Sequence, residues 1–169
     1  GDDRGGPRLP GRGDDARAEE LVADVLASEV PVLVDADALT IVAKHPELVR
    51  NRRARTLLTP HAGEFARLAG EPVGADRAAA VRGLAAEYGA TVLLKGGITL
   101  IAPPPEQGLP VFGNDAQASW AATAGAGDVL SGIAGSLLAS GREPWWAGVM
   151  AARLHAQAAL LASGGAPIG

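Results

Sequence analysis

Val30-Pro31-Val32-Leu33-Val34-Asp35-Ala36-Asp37-Ala38-Leu39 holds the key to the chain's architecture. The first five residues form a short, continuous apolar run, which is the signature of a strand buried on both faces. The run ends in two carboxylates, Asp35 and Asp37. In open α/β sheets, ligand sites collect at the carboxyl ends of the strands. Either Asp could instead cap a short helix over residues 38–44.

Upstream, residues 16–29 carry an apolar stripe of Leu21, Val22, Val25 and Leu26 with acids elsewhere on the surface, which predicts an amphipathic helix. Residues 1–15 are rich in Gly, Pro and mixed charge and read as a flexible N-terminal loop. Downstream, His45-Pro46 closes the short helix, with His45 a surface residue without a role. The basic cluster from Arg50 to Arg55 reads as a solvated face. Residues 56–59 give a second buried strand, followed by His61 and Glu64, and then a short helix with Phe65 and Leu68 stopped by Gly70. Residues 76–88 form a further helix, with Ala79, Ala80, Leu84 and Ala85 inward and Gly89 as its stop. Residues 91–95 form a third strand. Gly96-Gly97 then turns the chain into a hairpin partner at 98–101. A loop over 103–108, a short strand near 111–112 and a last helix from 144 to about 163 complete the pattern. In that helix Trp145, Val149, Leu154, Leu160 and Leu161 are available to pack.

Alternating helix and strand imply a mostly parallel sheet covered by helices. Right-handed crossovers then bring the strand ends, with Asp35, Asp37, His61, Glu64 and Lys95, to one edge. One more stretch belongs there: Thr123-Ala124-Gly125-Ala126-Gly127-Asp128-Val129-Leu130-Ser131-Gly132. It reads as a glycine-rich turn emptying into a helix that carries Val129, Leu130, Ile133, Leu137 and Leu138 and stops at Gly141. Such a turn offers unpaired N–H groups and the positive end of a helix dipole to an anion. Asp128, in its first turn, is either a cap or a working carboxylate.

The 169 residues suffice for one domain with a hydrophobic core. A net charge of −4 gives no footprint for nucleic acid or an anionic membrane. Without cysteine, disulfides, thiolate zinc sites and cysteine nucleophiles are excluded. There is no apolar run of membrane-spanning length and no signal-peptide pattern, so a cytoplasmic protein is expected.

Val-Asp-Ala-Asp-Ala-Leu (34–39), Leu-Thr-Pro-His-Ala-Gly-Glu-Phe (58–65), Leu-Lys-Gly-Gly-Ile-Thr (94–99) and Ala-Thr-Ala-Gly-Ala-Gly-Asp-Val-Leu-Ser-Gly (122–132) occur in this order. Together they resemble the ADP- or ATP-dependent NAD(P)H-hydrate dehydratases, carbohydrate-kinase-like enzymes of ribokinase-type fold. The resemblance implies a ribokinase-like α/β domain over residues 16–169, flanked by helices and lacking the strands and helices that open the family domain. It implies a metabolite-repair lyase. The nucleotide phosphorylates the hydroxyl of the 6S hydrate of NADH or NADPH, and loss of phosphate regenerates the reduced cofactor. Carried onto matching positions, Asp128 is the catalytic carboxylate and contacts the hydrate, as does His61. Gly125, Ala126 and Gly127 form the anion hole. Lys95, Gly96, Gly97, Ile98 and Thr99 line the adenine nucleotide with Gly127. Glu64 joins Asp128 and His61 as a substrate-binding residue and acts near the phosphates through Mg2+ or water, with no dedicated protein metal site.

Kinases of this fold that act on pyrimidine or pyridine alcohols usually carry Asn where this chain has His61. A small-alcohol kinase is the alternative activity, and a non-catalytic nucleotide-binding remnant the alternative without activity. The family's Gly-Pro-Gly-Leu-Gly loop is replaced here by Gly6-Pro7-Arg8-Leu9-Pro10, whose Arg8 and Pro10 would block close backbone approach. The resemblance also suggests a homo-oligomer.

Overall fold

A computed structural model describes residues 12–115 and 125–163. The Gly6–Pro10 replacement loop, Thr123, Ala124 and the last six residues lie outside this set. Helix α1 (Arg12–Ala27) leads to strand β1 (Val32–Val34), then α2 (Asp37–Lys44) and α3 (Glu47–Arg50). Strand β2 (Thr56–Leu58) is followed by α4 (Ala62–Ala69) and α5 (Arg77–Tyr88), and β3 (Thr91–Leu94) turns into β4 (Ile98–Ala102) and β5 (Phe112–Asp115). Two long helices, α6 (Ala126–Ala139) and α7 (Pro144–Ser163), close the described chain.

The five strands lie in chain order. β1, β2 and β3 are parallel, with Val32 opposite Thr56 and Leu57 opposite Thr91. β4 pairs antiparallel with β3, and β5 antiparallel with β4, so only β4 opposes the common direction. The mostly parallel α/β sheet expected from the sequence is present. Period-two alternation then sorts its side chains into two cores. Leu58, Val92, Leu94 and Ala102 face a cluster with Leu39, Val42, Phe65, Val81, Leu84 and Tyr88 from the helices on one side. Leu57, Leu93 and Ile101 face Leu130, Ala134, Leu138, Trp145 and Val149 of α6 and α7 on the other.

Local signals account for most element ends. Asp76 caps α5 by accepting from the Ala79 N–H at 2.9 Å, and Gly70 and Gly89 end α4 and α5 in the left-handed region. Several expectations are corrected. Helix α1 begins at Arg12, so residues 12–15 belong to it rather than to the loop. Among the described residues β1 has a strand on one side only: Val30 is 58 % exposed, and only Val34 of the strand is fully buried. Continuous apolar runs do not distinguish a central strand from an edge. Leu21, Val25, Val129, Leu154, Leu160 and Leu161 are also exposed, as is Ala79.

The basic cluster is not simply a solvated face. Arg52 is half-buried, and its guanidinium donates to the carbonyls of Leu26, Ser28 and Val30 and to Thr56 Oγ1 at 2.9 Å. One side chain thus satisfies the open carbonyls at the end of α1 and pins the approach to β1 beside β2. Arg50 lies over the Tyr88 ring at 5.1 Å and pairs with Glu87, and Arg55 pairs with Glu143 at 2.5 Å. His45 likewise has acidic neighbours, Glu19 at 4.0 Å and Glu47 at 3.5 Å. Arg52→Ala is expected to destabilise the fold by about 2–3 kcal/mol, since charged hydrogen bonds are lost and carbonyls are left unpaired. A lower urea midpoint with unchanged slope would show it. Arg52→Lys should recover only part of the loss, because an ammonium lacks the planar fork.

Candidate active site

The parallel register puts the ends of β1, β2 and β3 side by side. Thr59 N–H donates to Val34 O at 3.1 Å, and Lys95 N–H donates to Pro60 O at 2.8 Å, so the pairing runs on past the strands into the site. From this edge Lys95 sends its ammonium back across the end of β2. Its Nζ donates to Asp35 Oδ1 at 2.7 Å and lies 3.8 Å from Glu64 Oε2. It also stands 3.8 Å from the point where a Cβ on Gly127 would sit, at the start of α6. The expected gathering of Asp35, Glu64, Lys95 and the glycine turn is therefore observed.

Asp35 serves as a junction. Its Oδ2 accepts from Ser131 Oγ at 2.6 Å, and its Oδ1 also accepts from the Ala36 N–H at 2.9 Å. Neither Asp35 nor Asp37 caps α2: the cap position is Ala36, without a side-chain bond. Burial works against the charged Asp35 carboxylate. Donation from Lys95, Ser131 and the Ala36 N–H outweighs it and holds the group below its ordinary value.

His61 and Glu64 form a reciprocal cap on α4. His61 Nδ1 accepts from the N–H groups of Gly63 at 2.9 Å and Glu64 at 3.3 Å, and Glu64 Oε2 accepts from the His61 N–H at 2.8 Å. An Nδ1 that accepts leaves the neutral ring's proton on Nε2, 3.4 Å from Glu64 Oε1. The imidazole is exposed, whereas Glu64 is buried. Both residues thus have a structural task, with the Nε2 of an exposed ring facing Glu64.

Gly125 caps α6 at φ 88°, a left-handed conformation that any side chain would strain. Its N-cap residue is a glycine and supplies no side-chain cap, so among the described residues no cap bond competes with an anion for the first N–H groups. Asp128 is exposed in the first turn and is not the N-cap residue, so the capping role open to it in the sequence is not the one it takes. Gly96 and Gly97 are exposed in the β3–β4 turn. A Cβ on Gly96 would come within 2.6 Å of the Arg77 guanidinium, which reaches the Ile98 carbonyl at 3.4 Å. Thr99 Oγ1 donates to Gly96 O at 3.4 Å and stiffens the same turn, while Ile98 is 52 % exposed. Asp35, Ser131 and Arg77 were not assigned site roles from the sequence. Only Asp35, at a strand end, carried a readable signal.

Among the described residues no three His, Asp or Glu groups gather to hold a metal ion. This donor set fits a Mg2+ carried by phosphates and completed by one or two carboxylates. Glu64 is the candidate, 3.8 Å from the Lys95 ammonium. No described helix is long and apolar enough to cross a membrane.

A family model described as NAD(P)H-hydrate dehydratase matches residues 10–166. The bifunctional NAD(P)H-hydrate repair enzyme of Mycobacterium leprae is 57% identical over 154 residues, which cover 91% of this chain and 32% of that protein. The ADP-dependent (S)-NAD(P)H-hydrate dehydratase of Neisseria meningitidis is 45% identical over 137 residues, covering 78% of this chain and 45% of the relative. The Bacillus subtilis ADP/ATP-dependent NAD(P)H-hydrate dehydratase, co-crystallized with ATP/Mg2+, superposes with a TM-score of 0.74 at 30% identity. That match covers 95% of this chain and 55% of that structure. The chain therefore spans about a third to a half of these relatives.

Because the folded Asp35 carboxylate is depressed, its contribution to stability is present above the unfolded value and lost as pH falls through the folded one. Acid titration of wild type should show a loss of stability below about pH 4. Asp35→Asn should flatten that part of the curve.

Proposed function

This chain belongs to the NAD(P)H-hydrate dehydratase family, and we propose that it is a partial ribokinase-like domain for nucleotide-dependent dehydration of hydrated NADH or NADPH. The observation that carries the proposal is the meeting of a lysine ammonium with a glycine-capped helix N-terminus whose first turn also bears an exposed carboxylate. The first two hold a phosphoryl group. The third takes a proton beside it.

In this reading the Asp128 carboxylate removes the proton from the ring hydroxyl as that oxygen attacks the terminal phosphorus of ATP or ADP. The bond from phosphorus to the nucleotide's bridging oxygen breaks, and the shortened nucleotide keeps the electron pair. N–H groups of the Gly125–Gly127 turn and the Lys95 ammonium neutralise the charge on the phosphoryl oxygens. Phosphate then leaves the ring with the C–O electron pair, an adjacent ring carbon gives up a proton, and the double bond of the reduced nicotinamide returns. Gly96 to Thr99, braced by Arg77, line the adenine nucleotide with Gly127. His61 donates from Nε2 to the hydrate, and Glu64 keeps that imidazole in place while serving the phosphate side. Mg2+ bound with the nucleotide would supply charge neutralisation. The exposed apolar side chains on α1 and α7 support a homo-oligomer, and the cytoplasm is the proposed location.

Hydrated NADH mixed with the protein, Mg2+ and ADP or ATP should regain the absorbance of the reduced cofactor. Accumulation of a stable phosphorylated alcohol would favour a kinase instead, and nucleotide binding without turnover would favour a non-catalytic remnant. Asp128→Asn should abolish turnover, by about 10³-fold or more, while calorimetric nucleotide affinity changes little. At His61 two variants separate fold from chemistry. His61→Ala should cost about 1 kcal/mol of stability as a lost cap, whereas His61→Asn keeps an N-cap acceptor and should lose hydrate recognition alone.

A further inference from the structure

Asp35 lies next to Ala36, the one non-glycine among the described residues with a positive φ, 50° with ψ −125°. Such a conformation is strained for a residue with a side chain and persists only where its surroundings enforce it. What the sharp bend achieves is visible in the bonds around it. The chain leaves β1 for α2 while the Asp35 carboxylate stays at the strand end, accepting from its own neighbour's N–H, from Lys95 and from Ser131. The three tethers come from β1's own exit, from the end of β3 sixty residues on, and from α6 ninety-six residues on. Ser131 lies three residues beyond Asp128, so the two share one face of α6. A fixed Ser131 therefore sets the rotation of α6 and the direction in which Asp128 is presented. The Asp35 bond to Lys95 fixes the other half of the arrangement, an ammonium 3.8 Å from the Cβ point of Gly127.

We propose that Asp35 is a positioning residue. Through its two oxygens it aligns the phosphate-facing Lys95 with the proton-accepting Asp128, while touching neither substrate itself. This rests on the nucleotide-dependent reading above. It adds that the pair Asp35–Ser131, which the family resemblance did not assign, supports the chemical step without aiding nucleotide capture. In the resting site Asp35 also competes with phosphate for the Lys95 ammonium. Removing its charge should therefore act in opposite directions on binding and on turnover.

The test compares wild type, Asp35→Asn, Asp35→Glu and Ser131→Ala for MgADP affinity by calorimetry and for kcat and KM with hydrated NADH. Asp35→Asn should bind MgADP about threefold more tightly, since a competing carboxylate is gone. Its kcat should fall about 10²-fold, the scale of a catalytic group displaced by about an ångström. Ser131→Ala should lower kcat by about tenfold and leave MgADP affinity unchanged. Asp35→Glu restores the charge, so its MgADP affinity should return to the wild-type value while kcat stays reduced. Equal or weaker MgADP binding by Asp35→Asn would overturn the proposal, as would an undiminished kcat. A wild-type chain that turns over no hydrate would refute the proposed activity. The MgADP comparison would still decide the role of Asp35.

Discussion

A half-buried ion pair between Lys95 and Asp35 ties together the ends of two strands that are not neighbours in the sheet. Drawing both charges partly out of water is unfavourable, and their attraction offsets this only when the remaining hydrogen-bonding capacity is also met. Here it is met by Ser131 and the Ala36 N–H on the carboxylate, with Glu64 close to the ammonium. The same pair dictates where the glycine turn of α6 can lie, because Ser131 must reach the carboxylate. The sheet edge, the third strand's lysine and the last helical layer are thus held in one arrangement by a single carboxyl group.

Much of this was legible in the residues. The ends of α5 follow from local chemistry, because a cap and a left-handed glycine act over one turn. The last helix and the hairpin at Gly96-Gly97 stand where the residues place them. The convergence of Lys95, Glu64 and the α6 turn followed from strand direction alone. The resemblance supplied roles that no spacing could.

What stayed hidden has a common cause. Arg52 finds its partners among backbone carbonyls, which leave no mark in a sequence, so its cluster read as a solvated face. Leu21, Val25 and Leu161 sit on helical stripes broader than the surface that covers them. The run from Val30 to Val34 looked central because apolarity records burial potential, not the presence of a neighbour. His61 and Glu64 show a subtler limit. Capping and ligand contact ask for the same polar groups at a helix start, so a pattern that supports one reading supports both. In the structure the ring's Nδ1 caps the helix while its Nε2 stands 3.4 Å from Glu64 Oε1.

The sheet divides the interior in two, and the site straddles the division. Lys95, Glu64 and Asp35 grow out of the sheet and the more extensive core beneath α1 to α5, whereas Asp128 and Ser131 ride on the smaller layer of α6 and α7. Layers of unequal depth open with unequal ease, and exchange of backbone hydrogens would register the lighter one first. Such a fluctuation would carry Asp128 and the helix N-terminus away together and leave the lysine behind. Competence of the site is thus a property of the docked α6–α7 unit, set by how often that unit is seated on the sheet.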